Sequence, residues 1–176
     1  MKRFIAITTP AVLALAIGTA HAGNPATISV TVTIQNLSVS ASGPVAFGTV
    51  VAGSQTVSSG GSTVTNDGNV TETYSVSITN PATWTAVQAA PSSAEEYALL
   101  AQFSSSTPTA NSFTYANHAL SSSPVTCSGT KFAGDQTGLS VPVSGARTLW
   151  FRFNAPTSTS VTTQQNITVT LTASAG

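Results

Sequence analysis

His118 and Cys127 stand nine residues apart, and with Asp67, Glu72, Glu95, Glu96 and Asp135 they are the side chains of this sequence best suited to chemistry. A Cys–His pair would make a thiolate nucleophile and a Ser–His–acid set an acyl-transfer triad, but each requires a base held by an orienting group. Beyond the first 22 residues His118 is the only histidine, no G-x-S-x-G turn occurs, and Cys127 sits in no thiol-protease signature. An enzyme would need Glu95, Asp135 or His118 to converge in one cleft. The carboxylates offer oxygen ligands for calcium, yet no acidic run has EF-hand spacing. Glu95 and Glu96 read instead as a solvated pair in the first turn of a short helix over Pro91–Tyr97, with Ser92 or Ser93 as cap. The sequence therefore assigns no catalytic residue, no metal and no cofactor, and no enzyme is expected. A lone cysteine forms no internal disulfide and reads as a small buried hydrophobe.

The elements available to position any site are strands. From Thr27 to Ile34 the even positions are Ile28, Val30, Val32 and Ile34 and the odd ones Thr27, Ser29, Thr31 and Thr33, a period of two with one apolar face. The phase flips at Leu37 and Val39. Val70–Ile78 alternates again, with Glu72 falling in the apolar phase, which puts it near a strand end or at an edge. Asn166–Ala175 sets Ile167, Val169, Leu171 and Ala173 against hydroxyls. Shorter strands are expected at Val45–Val51, Ser62–Asn66, Thr83–Gln88, Tyr97–Phe103, Ser112–Tyr115, Val125–Phe132, Leu139–Val143 and Arg147–Asn154, separated by turn residues such as Asn66-Asp67-Gly68-Asn69.

About ten short strands without a long helical period predict an all-β fold, a single Ig-like or jelly-roll β-sandwich with little helix. Its core is expected around Trp84, Leu99, Phe103, Leu149, Phe151 and Phe153, with Trp150 and Arg152 on the opposite face of their strand. Trp150 there reads as a half-exposed ring under Arg152.

Lys2 and Arg3, an apolar run from Phe4 to Ile17 and the small residues of Ala20-His21-Ala22 predict a secretory signal peptide over residues 1–22. The run is too short for a bilayer core of ~30 Å. A secreted, extracellular or cell-surface protein is expected, the periplasm also fitting, with an N-terminal strand over residues 23–39 and a β-sandwich domain over 40–176. Charged residues make up only 6 % of the chain, against roughly a quarter in ordinary globular proteins. The 25 Ser and 29 Thr hydrate the surface instead, and a surface with few ions can lie against a copy of itself without burying charge. No basic patch invites nucleic acid, and no membrane contact is expected after cleavage.

The run Phe47-Gly48-Thr49-Val50-Val51-Ala52-Gly53-Ser54, followed by Val64-Thr65-Asn66-Asp67-Gly68-Asn69 and an alternating strand, resembles the opening of secreted Ig-like or jelly-roll filament subunits, namely TasA/camelysin-type biofilm-fibre proteins and archaeal bundling pilins. The resemblance implies a subunit that polymerises by donor-strand complementation, its N-terminal segment, Gly23–Val39, entering a neighbour. On the residues alone, Thr27–Ile34 can equally be the first strand of its own sheet. The expected function is a structural subunit of an extracellular filament, pilus or surface layer. Its partner would be the protein itself, through Ile28, Val30, Val32 and Ile34. The alternative is a secreted module binding a surface polysaccharide or another cell-surface protein, with Trp84, Tyr115 and Trp150 as stacking platforms.

Overall fold

A computed structural model describes residues 25–176, so the expected signal peptide over residues 1–22 lies outside the described residues. The chain divides into two units, residues 1–33 and residues 34–176. In the first, the described residues 25–33 form no strand or helix and are exposed. The second is all-β and sandwich-like. In chain order its strands are β1 (Val39–Ala41), β2 (Gln55–Val57), β3 (Ser62–Asn66), β4 (Glu72–Thr79), β5 (Thr85–Ala86), β6 (Glu96–Phe103), β7 (Val125–Thr126), β8 (Ala146–Asn154) and β9 (Thr168–Ala175). A 3₁₀ turn at Ala110–Ser112 and one helical turn, α1 (Tyr115–His118), are the helical elements of this unit.

The larger sheet runs β1-β3-β8-β6-β5, with β2 also pairing β8, and the smaller runs β7-β4-β9. Long β8 is central, between β3 and β6, and both of its phases are buried from Leu149 to Phe153, Arg152 among them. Leu149, Phe151 and Phe153 join Val64, Tyr97, Leu99 and Phe103 of the same sheet and Tyr74, Val76 and Ile78 of β4 in the main core. On the other face Trp150 packs with Ala98, Leu100, Phe113 and Ala119 in a second cluster, beneath the 110–119 segment. The Arg152 guanidinium donates to the carbonyls of Ala110 (2.6 Å) and Phe113 (3.0 Å) and so ties that segment down.

Several sequence expectations are corrected here. Trp150 is not half-exposed: it is buried, its indole N–H donates to the Ser104 carbonyl at 3.0 Å, and Arg152 lies over Phe113 and Tyr115 instead. Pro91–Tyr97 is not helical, because Glu95 takes a φ of 60° and the chain enters β6 at Glu96. Val45–Val51 forms no strand; Gly48 and Gly53, with φ of 66° and 73°, turn the chain out of any ladder. Ser112–Tyr115 forms no strand: Ser112 ends the 3₁₀ turn, Tyr115 opens α1, and the Thr114 N–H between them is captured by His118 Nδ1 (2.8 Å). Leu139–Val143 contributes only the single bridge Val141 to Glu72, and Val125–Phe132 only the two residues of β7.

Candidate functional site

β9 pairs antiparallel with β4 along its full length, Glu72 opposite Ala175 through Thr79 opposite Thr168. Among the described residues no strand pairs with its other side, so it is an edge eight residues long. In an antiparallel ladder alternate residues aim their N–H and C=O groups away from the partner, and at an edge those groups form a template for another strand. The counterpart in the larger sheet is β1, three residues long. Between the β9 edge and the segment that continues β1 lies an open groove of about 1010 Å³.

The groove's walls follow from the alternation of the strands that form it. Its floor is Leu99, Leu149, Phe151 and Phe153, the inward residues of β6 and β8. One wall is the inward phase of β9, Val169 and Leu171, together with Ile167 just before it; all three are only half-buried. The opposite wall is Ala41–Val50, where Phe47 packs against Phe153 at 5.6 Å between ring centroids. Trp84 closes the rim, stacked on Phe153 at 5.9 Å, its indole N–H donating to Thr159 Oγ1 at 3.2 Å. Core residues of two sheets thus meet along a seam that neither sheet covers.

The apolar residues singled out in the N-terminal segment are all exposed: Ile28 89 %, Val30 81 %, Val32 82 % and Ile34 79 %. Four branched aliphatics in strict alternation, all exposed, are unusual, since exposed apolar side chains are ordinarily scattered.

At the β4 end of the sandwich the chain is held by a distinct polar cluster. Glu72 is completely buried, and its Oε1 accepts the Ser38 N–H at 2.7 Å. Its Oε2 and the Tyr74 hydroxyl have no hydrogen-bond partner among the described residues. Burial, with the Glu72 charge second, pushes the Tyr74 phenol up to about 12. Asn69 Oδ1 accepts the Asn36 N–H (2.8 Å), its Nδ2 donates to the Ile34 carbonyl (2.7 Å), and its backbone N–H donates to the Asn36 carbonyl (3.1 Å). The Asp67 N–H donates to the Ser38 carbonyl at 2.7 Å. Gly68 is required: a Cβ there would collide with Glu72 Oε1 and the Asn36 carbonyl.

The remaining candidates are placed apart from one another. Glu95 accepts from Thr159 Oγ1 and the Ser160 N–H, bonds that hold its carboxyl below the usual range. Asp135 is likewise lowered, by the Ser105 hydroxyl and N–H. His118 is buried with Nε2 against the Ala133 carbonyl (3.1 Å), and desolvation lowers its pKa. Each carboxylate or imidazole therefore holds a loop. Among the described residues no three His, Cys, Asp or Glu side chains are grouped to hold a metal ion. Of the stacking residues, Trp84 lies at the groove rim, Tyr115 over Arg152 and Trp150 inside the second cluster. Tyr115 packs against the cluster that buries Trp150, and Trp84 lies elsewhere, so the three form no common exposed platform. The groove itself was not foreseen in the sequence; its only signal was that Asn166–Ala175 reads as a strand with one apolar face. No protein family, curated protein or solved structure matches the chain.

Proposed function

We propose that this protein is a structural subunit of an extracellular filament, pilus or surface layer, in which Thr27–Ile34 of one copy lies in the groove beside β9 of another. The observation that carries this reading is the coexistence, in one chain, of an open apolar seam along a free sheet edge and an exposed segment with the matching alternation. Thr27–Ile34 has the eight residues of β9, and both span about 26 Å at ~3.3 Å per residue. Placed as an added strand, the segment offers Ile28, Val30, Val32 and Ile34 to the floor of Leu99, Leu149, Phe151 and Phe153, while its hydroxylated phase faces solvent. Main-chain bonds to the edge supply affinity and the side-chain pockets supply register. The low charge of the surface supports close packing of successive copies. The signal peptide expected over residues 1–22 supports assembly outside the cytoplasm.

Negative-stain electron microscopy of residues 23–176 and of a chain beginning at Ile34, at equal concentration, tests the reading. Filaments or chains from the first and monomers from the second are expected. Monomers from both would overturn it.

A further inference from the structure

Resting on that reading, we propose that Asn69 and Glu72 form a root clamp that prevents the arm, Thr27–Ile34, from entering the groove of its own subunit, so that assembly is committed to head-to-tail pairing with a second copy. The clamp holds alternate residues: the Ile34 carbonyl, both backbone groups of Asn36 and both of Ser38 are bonded to Asp67–Glu72. Alternate bonding is the signature of an extended strand, and it continues the line of β1, which runs antiparallel to β3 with Val39 opposite Asn66 and Ala41 opposite Val64. Read backwards from Ala41, the chain therefore runs toward and along the Asn66–Asn69 turn.

The groove extends the other way. Glu72 faces Ala175 at the clamped end, and the β9 residues lining the groove are Val169 and Leu171, with Ile167 beyond them. To occupy its own groove the arm would have to reverse after Ile34, and a reversal consumes at least two residues plus the return past Ala175 and Ala173. At ~3.3 Å per residue the return from Ala175 to Leu171 alone is about 13 Å. The turn would use Thr33 and Val32 and the return Thr31 back to Ile28, so the four-residue apolar set could not be seated. A neighbour's groove imposes no reversal. A contact that joins one end of a subunit to a different surface of the next is heterologous, and it propagates as an open chain where its rotation does not close a ring.

Glu72 suits this role because its buried Oε1 is met by an N–H of the arm root. Its place in the apolar phase of β4 is thereby explained.

Disulfide trapping tests the clamp in the otherwise intact chain, with Val30→Cys on the arm and Leu171→Cys in the groove. Cys127 stays out of the exchange because it is buried. With the clamp intact, oxidation is expected to give a ladder of linked multimers. Two variants release the arm: Asn69→Ala, at an exposed position, and a ten-residue Gly/Ser insertion after Gln35, which leaves the clamp bonds of Asn36 and Ser38 in place and gives up only the one to the Ile34 carbonyl. An arm with slack meets its own groove at an effective concentration of about 1 mM. At ~10 µM protein the product should therefore shift roughly a hundredfold toward monomers with an internal disulfide. Internal disulfides dominating with the clamp intact would overturn the clamp alone. The absence of any bond between the two introduced thiols in all variants, multimeric or internal, would overturn the strand-docking reading beneath it.

Discussion

Replacing Ile28 by alanine separates a role in assembly from a role in the fold. Ile28 is 89 % exposed in the subunit, so its loss is expected to change the stability of the isolated subunit by no more than about 0.5 kcal/mol. If its side chain is buried in a neighbour's groove, three carbons leave an apolar site, at about 0.8 kcal/mol each, or roughly 2.4 kcal/mol per junction. At 1.4 kcal/mol per tenfold this is about a 50-fold weaker association. Val30→Ala removes two carbons and is expected to weaken the junction about 15-fold. Ser29→Ala, in the opposite phase, should leave it within about twofold. Sedimentation velocity across a dilution series reads the association, and thermal unfolding of the dilute subunit reads the fold. Association that does not follow this gradation, or a melting temperature that falls by several degrees with Ile28→Ala, would refute the reasoning.

Other outcomes follow from the same structure. Trp150→Ala removes a buried indole together with its bond to the Ser104 carbonyl, and chemical denaturation should show a loss of about 3–5 kcal/mol. Gly68→Ala forces a Cβ against Glu72 and the Asn36 carbonyl, costing about 1–3 kcal/mol of stability by the same measurement. Burial raises the Cys127 thiol and the Tyr74 phenol to about 12 each. Because the unfolded chain loses those protons first, the stability these groups contribute should be fully present below about pH 8.5, the ordinary thiol value. It should fall as the pH rises from there through about 12, seen as a declining melting temperature. Cys127 should accordingly resist a maleimide at about pH 8 until guanidinium unfolds the chain.

Where alternation met a two-sheet core, the sequence was readable. Leu149, Phe151 and Phe153 are core residues, as their phase requires, and Leu99, Phe103 and Trp84 join them. Glu72 was legible as an anomaly, a charge in an apolar phase at a strand end, and it proves to be the first residue of β4. What escaped was decided by contacts distant in sequence. Trp150 and Arg152 face away from the main core, and only the packing of Phe113 and Ala119 over them makes that face a second interior. Glu95–Glu96 resembles a helix start locally, but the Thr159 and Ser160 donors fix Glu95 in a left-handed conformation that no helix continues. The groove is the clearest case. It exists because β4 is the one described strand that pairs with β9, a fact of strand order that periodicity does not encode.

Hydrogen exchange along β9 gives the most direct view of whether that edge receives a strand. The chain beginning at Ile34 would be compared with the same chain mixed with a peptide of residues 25–35, and with the assembled protein carrying its arm. Slowed exchange at Thr168–Ala175 on adding the peptide, matched in the assembled protein, is the predicted result. Unchanged exchange at those amides in both, with the subunit folded throughout, would contradict it.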